Sequence, residues 1–406
     1  MQEPTINVLE LFGGCGGLGY GFHKEGFNII CANELDSRIA ETYKYNYPDT
    51  NVVVGDITKP DIKNTIYNNF AEKKCHIIIG GPPCVAYSMS GHRNSRDPRG
   101  QLFKDYVELV KKLDPTMFVM ENVKGILTIL HDKPILTPSE KVLADKYYAL
   151  EVEKLKLEME KKRITTEKRK HSKNVSNSYS VEIDTINKEN IKLVKKKQGE
   201  MKKDIGKFRI NVTSIIKSTF EKLGYNVEMK LLNSANYGVP QKRERVIFIG
   251  VKNDVDTTIR YPNETHNKCG TDGKMKWVTV RDAIGDLKEQ PENKDIQHII
   301  TAHGAKFIEK IKNTPIGKSV SPKYSEAFFR CDPDKPSPTV KENHGGVFVH
   351  YENNRVMTPR ELARLQSFPD DFIFKGSKSC ILVQLGNAVP CGLSHAIAKE
   401  VKKMLI

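Results

Sequence analysis

Short apolar runs rich in β-branched residues recur along the first half of the chain, and stretches with helical spacing separate them. Ile6 to Phe12, Asn28 to Asn33, Asn51 to Val54, Ile77 to Ile79 and Thr116 to Met120 read as strands, each ended by glycine, proline or an acidic residue. Tyr20 to Glu25 and Leu102 to Leu113 carry the helical pattern. The alternation resumes with a helix over Ile210 to Leu223 and strands over Asn226 to Leu232 and Val246 to Ile249. Strands alternating with helices predict an α/β fold, a doubly wound and mostly parallel sheet. Residues 1–252 are expected to form this domain.

Two regions break the pattern. Over about residues 131–206, Lys and Glu surround sparse apolar positions such as Leu150, Leu155, Ile191 and Val194, predicting two charged helices in a hairpin with a polar middle near Ser172 to Ser180. The bland reading is a solvated insertion; the alternative is a lysine-rich contact to phosphates. Over residues 253–375 the periodicity weakens, which predicts a smaller, loop-rich domain with turns at Ser337-Pro338-Thr339-Val340 and Asn343-His344-Gly345-Gly346. A short helix opens there at Thr358-Pro359, an N-cap followed by proline. Residues 376–406 end in an apolar helix expected to return to the first domain.

In an open α/β sheet, ligands bind beyond the carboxyl ends of the strands. The first strand runs into Gly13-Gly14-Cys15-Gly16-Gly17, which from Gly14 satisfies G-x-G-x-x-G. Glu34 closes the second strand, and Asp56 follows the third. A glycine turn before a helix, with an acid for ribose hydroxyls, suits a nicotinamide, flavin or S-adenosylmethionine site alike. The run Ile77-Ile-Ile-Gly-Gly-Pro-Pro-Cys84 delivers Cys84 to a loop at a strand end, though a cysteine there can equally be a small buried hydrophobe. Glu121 ends the fifth strand in the same manner. Arg243 and Arg245, at i and i+2 entering a strand, share a face, and such a fork suits phosphate or a base oxygen; solvated charges on an edge strand are the plain alternative.

Charge narrows the partners. With 65 Lys and Arg against 50 Asp and Glu the net charge is +15, which favours a polyanion, nucleic acid first. The eight cysteines are scattered without C-x-x-C pairs or metal-like spacing to histidine, so reduced thiols are expected, with no disulfide framework and no metal. No basic and apolar leader follows Met1, and no run approaches eighteen apolar residues, so neither export nor a membrane span is expected.

Taken in order, Phe12-Gly-Gly-Cys-Gly-Gly17, Gly80-Gly-Pro-Pro-Cys84, Glu121-Asn-Val123, Gln241-Lys-Arg-Glu-Arg245, Arg360-Glu-Leu-Ala-Arg-Leu-Gln-Ser-Phe-Pro369 and Gly386-Asn-Ala-Val-Pro390 resemble the ordered motif set of DNA (cytosine-5)-methyltransferases. The resemblance spans nearly the whole chain, excepting the charged insertion and the variable region, which in that family recognises the target. It implies a Rossmann-like methyltransferase fold and S-adenosylmethionine held by Phe12, Gly13, Gly14, Cys15, Gly16, Gly17, Glu34, Leu35, Asp56, Ile57, Asn387, Ala388 and Val389. It also implies a flipped cytosine in double-stranded DNA, Cys84 as nucleophile, Glu121 as the acid at ring nitrogen 3, and Arg243 with Arg245 supporting base and phosphate. Ser88, Ser90, Gln241 and Thr339 would contact DNA, and the loop after Cys84, through Ser90 and Gly91 to Arg99, would close over it. A monomeric cytoplasmic enzyme is expected, nucleoid-associated or in a viral host cell, and the partner of a restriction enzyme. Two features depart from the pattern: Val85-Ala86-Tyr87-Ser88 stands where the family has Gln-x-Phe-Ser, and the Lys-rich insertion is atypical. The rivals are the tRNA-modifying branch of the same chemistry and a non-catalytic DNA-binding module. The first usually carries a Cys-Phe-Thr signature not evident in the variable region, and intact Cys84 and Glu121 oppose the second.

Overall fold

The computed structural model describes residues 5–83, 102–170, 178–321, 327–342 and 347–406. The chain divides into two units, one comprising Met1–Pro82, Leu102–Lys124 and Phe220–Ile406, the other Pro83–Gln101 and Gly125–Thr219. In chain order the strands are β1 (Asn7–Leu11), β2 (Asn28–Glu34), β3 (Asn51–Val54), β4 (Ile77–Gly80), β5 (Met117–Val123), β6 (Leu130–Asp132), β7 (Arg209–Asn211), β8 (Tyr225–Asn233), β9 (Glu244–Lys252), β10 (His266–Asn267) and β11 (Met275–Lys276). The helices begin with α1 (Gly17–Lys24), α2 (Ser37–Asn46), α3 (Pro60–Asn68), α4 (Leu102–Leu113), α5 (Pro138–Lys170), α6 (Ser178–Gly206) and α7 (Val212–Glu221). They continue with α8 (Val280–Ile284), α9 (Ala305–Lys312), α10 (Pro359–Leu365), α11 (Lys378–Asn387) and α12 (Cys391–Leu405).

The larger unit is built on one seven-stranded sheet in the order β3-β2-β1-β4-β5-β9-β8. Pairs among β1 to β5 are parallel, and β9 runs antiparallel to both neighbours. Ile77, Ile78 and Ile79 are all fully buried, as a strand in a parallel sheet covered on both faces must be, which is why β4 is an unbroken apolar run. The strand order reverses between β1 and β4, so the loops leaving those two strands flank the crevice where α/β sheets bind ligands. α4 presents Tyr106, Leu109 and Val110 to the interior at helical spacing.

One core of this unit joins Val8, Ile77, Ile79, Ile247 and Ile249 to Leu393, Ile397 and Val401 of α12. The amide of Gly21 in α1 donates to Ser394 Oγ at 3.1 Å. A second core gathers Val280, Cys331, Phe348, Leu362, Phe368 and Leu385 around Cys15. α10 starts with a capping box, in which Thr358 Oγ1 accepts from the Glu361 amide and the Glu361 carboxylate accepts from the Thr358 amide. The same carboxylate takes two 2.8 Å bonds from Arg355. The end of the chain is two helices rather than one. Ala388 turns extended before Pro390, which has no N–H to continue α11, and α12 starts afresh.

In the smaller unit α5 and α6 pack at their base through Ala144, Ile205 and Phe208. Beneath them β6 and β7 pair antiparallel, with Arg209 bonded to Asp132 at 3.0 Å and stacked over Tyr147. Among the described residues no single helix is long and apolar enough to cross a membrane; the bent pair of α11 and α12 is apolar because both helices fill the cores above. The described cysteines form no disulfide, and no described cluster could hold a metal ion.

Candidate active site

Beyond β1 the chain turns sharply. Phe12 has a φ of 56°, and Gly14 and Gly16 have left-handed φ of 57° and 91° before α1 begins at Gly17. Gly13 donates its amide to Asn33 O of β2 at 2.9 Å, which ties the turn to the neighbouring strand. Glu34, at the end of β2, accepts from the Gly14 amide through Oε2 and from the Asp36 amide through Oε1, both at 2.9 Å. The backbone of Leu35 also hydrogen-bonds this carboxylate, and burial raises the carboxyl pKa above its ordinary value. Leu35 beside it is 67% exposed. Asp56, after β3, accepts from the amide and hydroxyl of Thr58, which hold its pKa below the usual range, while Ile57 is buried.

The segment after α11 closes on the same turn. A Cβ on Gly17 would lie 2.5 Å from Val389 O, so only glycine admits this approach. Ala388 and Val389 are mostly buried there and Asn387 is exposed. Cys15 is buried in the second core and its thiol is pushed up to about 12, the signature of packing rather than reactivity. The turn thus offers backbone amides, a partly buried carboxylate, a second carboxylate and an uncovered leucine. That donor set fits a ribose-bearing, positively charged nucleoside such as S-adenosylmethionine.

Beneath this turn lies Glu10, which the sequence reading passed over. It is buried, accepting from the Gly19 amide at 3.0 Å and the Tyr43 hydroxyl at 2.6 Å, and burial raises its pKa to about 7. Its signal was present: it is the single charged residue within the apolar run Ile6 to Phe12.

The second half of the site is at β4 and β5. A Cβ on Gly81 would meet Glu121 Oε2 at 2.8 Å, so the backbone leaving β4 is pressed against the Glu121 carboxylate. Glu121 Oε1 is held by Arg245 Nε at 2.6 Å, both side chains being about nine-tenths buried. The antiparallel register of β5 with β9, Val123 opposite Arg245, brings the pair together. Asn122 donates through Nδ2 to Pro82 O at 3.5 Å and accepts from the Val123 amide through Oδ1, linking the two strand ends.

The paired arginines separate in role. Arg243 is 1% exposed and bonds the carbonyls of Val340 and Gly386 at 3.0 and 2.8 Å, so its guanidinium clamps two distant loops while burial lowers its pKa. Gln241 is fully buried, donating to Leu365 O and accepting from the Val340 amide. Thr339 bonds the Lys242 carbonyl at 2.9 Å. Cys84, Ser88, Ser90, the loop to Arg99 and the Asn343 to Gly346 turn lie outside the described residues.

The model of the family described as C-5 cytosine-specific DNA methylase matches residues 6–142 and 185–403. Among curated relatives, the type II methyltransferase M1.HphI of Haemophilus parahaemolyticus is 32% identical over 415 residues, covering 98% of this chain and 87% of that protein. The type II methyltransferase M.DdeI of Desulfomicrobium norvegicum is 28% identical, with 98% and 88% covered. Among solved structures, a provisionally named DNA modification methyltransferase encoded within a prophage (E. coli) superposes with a TM-score of 0.62 at 23% identity, covering 99% of both chains, a likeness of fold. Family match, relatives and strand-end geometry agree: this chain belongs to the C-5 cytosine-specific DNA methylase family.

Proposed function

We propose that this enzyme methylates carbon 5 of a cytosine extruded from a short specific sequence in duplex DNA, through a covalent adduct on Cys84, as the modification half of a type II restriction–modification pair. The observation that carries the reading is the fit of Gly81 against Glu121 Oε2, because the chain reaches Cys84 three residues later, after Pro82-Pro83. Carbon 5 of cytosine is a weak nucleophile in the aromatic ring. A Cys84 thiolate adding to carbon 6 forms a C–S bond and moves the ring's double-bond electrons to carbon 5. Glu121 would stabilise this adduct by hydrogen bonding or proton donation at ring nitrogen 3. Arg245 fixes Glu121 Oε1 and leaves Oε2 for the ring. S-adenosylmethionine, when bound at Glu34 and the glycine turn, supplies the methyl group as an electrophilic sulfonium. Loss of the carbon 5 proton and breakage of the C–S bond restore the aromatic ring and the free thiol. Because a stacked pair hides both reacting carbons, the cytosine must leave the helix.

Duplex DNA carrying 5-fluorocytosine tests this directly, since the fluorine cannot depart as a proton. The enzyme should form a denaturation-resistant adduct that Cys84→Ala lacks. No adduct, or one that survives the substitution, overturns the assignment. Bisulfite sequencing of DNA methylated by the purified enzyme reads the recognised sequence, and a parallel RNA substrate should stay unmodified.

A further inference from the structure

The segment Gln241 to Arg245 carries three cations, and the structure gives two of them internal work. Arg243 is buried on the carbonyls of Val340 and Gly386, and Arg245 is held by Glu121. Both guanidiniums are largely withdrawn from solvent, Arg243 being 1% exposed and the Arg245 side chain 12%. Lys242, between Gln241 and Arg243, faces the opposite way and is exposed. Its backbone is pinned on both sides, the amide donating to Ser337 O at 2.8 Å and the carbonyl accepting from Thr339 Oγ1 at 2.9 Å. Its ammonium sits 4.9 Å from the centre of the Trp277 ring and has no ion-pair partner among the described residues.

Trp277 is itself fixed. Its indole N–H donates to Asn236 Oδ1 at 2.9 Å, and Asn236 Nδ2 in turn donates to Glu264 at 2.7 Å. The Trp277 amide donates to Asn267 O at 2.8 Å. Glu264 accepts from Lys274 through its second oxygen at 2.9 Å, so this carboxylate is already paired with another lysine. An aromatic face orients an ammonium without removing its charge, and it releases the ammonium to a stronger anion at little cost. A fixed ring below, an anchored backbone and an unneutralised charge outward are the requirements of a phosphate contact.

Building on the function proposed above, we infer that Lys242, held over Trp277, is the cation with which this site grips a backbone phosphate of duplex DNA, and that Trp277 is its positioning residue. Trp277 lies in the variable region outside the shared motifs, and it is the sole tryptophan of the chain, so its emission reports the contact without a label. Titrating the enzyme with duplex DNA should change that emission as the ammonium leaves the ring for the phosphate. Lys242→Gln should lower DNA affinity at low salt about tenfold and reduce the slope of log K against log salt by about 0.9, the loss of one neutralised phosphate. Lys242→Arg should restore the slope. Trp277→Leu should weaken binding about two- to fivefold, in line with loss of a cation–π restraint, and Trp277→Phe serves if the leucine variant does not fold. An unchanged slope in Lys242→Gln, or a lowered melting temperature with binding intact, shows a purely structural lysine and overturns the inference, as does an emission indifferent to DNA. Adduct formation on 5-fluorocytosine duplex by the same preparation keeps the two readings apart: an adduct with an unchanged slope sinks only the phosphate contact, whereas no adduct sinks the catalytic reading.

Discussion

In the helical hairpin Lys192, Lys195, Lys196, Lys202 and Lys203 lie exposed along α6, whereas in the larger unit Arg243, Arg330 and Arg360 are buried and face backbone carbonyls. The lysines form no ion pair among the described residues. Arg330 bonds the carbonyls of Ile311, Thr314, Tyr351 and Glu352, and Arg360 those of Ile296, Pro369 and Phe372. Lysine suits the hairpin because its strongly hydrated ammonium stays in water, and arginine suits the interior because its planar fork satisfies several acceptors at once. The same formal charge therefore means a solvated face in one region and an internal strut in the other. A net charge of +15 cannot by itself be read as a DNA-binding surface.

Substitutions that strip buried charges should hurt far more than those on the hairpin. Glu121→Gln is expected to have the largest effect, lowering the methyl-transfer rate about 10²- to 10⁴-fold while the fold persists. Single-turnover kinetics would measure it, and a rate within tenfold of wild type would remove Glu121 from the chemistry. Arg243→Met should cost about 3 kcal/mol in urea unfolding, because two buried carbonyls lose their donors. Arg243→Lys, able to reach one of them, should cost less, and an equal cost would show that the fork rather than the charge matters.

Glu10 sharpens the comparison through pH. Its pKa is raised from 4.5 to about 7, chiefly by burial and against the bonds from Tyr43 and Gly19. The folded state therefore favours its protonated form. That contribution is fully present below pH 4.5 and is lost as pH rises through about 7. Glu10→Gln cannot ionise, so between pH 5 and 8 the wild type should lose about 2 kcal/mol relative to the variant. Parallel unfolding curves across that range would show that the carboxyl ionises as easily inside as outside. At the small end, replacing Lys192, Lys195, Lys196 and Lys203 by Gln should change stability by less than about 0.5 kcal/mol per site. A larger loss would mean that these side chains are covered.

Much of the architecture was legible because burial leaves a local trace. Ile77 to Ile79 declared a strand covered on both faces, and Asn51 to Val54 and Leu102 to Leu113 occupy the elements their spacing indicated. The alternating Lys, Glu and sparse apolar residues of the insertion became two long helices. α11 was not anticipated, since a single closing helix was expected within residues 376–406, whereas packing of Cys380, Ile381 and Leu385 makes Lys378–Asn387 a helix of its own. The glycine turn after β1 was legible from its residues, but its surroundings were not, because Tyr43 reaches Glu10 and Val389 reaches Gly17 only after the chain has folded back.

The sequence alone determined which chemical groups this enzyme owns: a cysteine after Gly-Gly-Pro-Pro, a glutamate at a strand end, a glycine turn with an acid, and a segment rich in cations. These follow from residue type and local spacing, which backbone sterics and hydrophobic periodicity make readable. Only the tertiary structure decided how the groups divide their work. It set Arg245 on Glu121, turned Arg243 into a clamp between Val340 and Gly386, and left Lys242 facing outward over Trp277. A cation's role depends on which acceptors reach it from segments roughly a hundred residues away, and no local pattern along the chain records that distance.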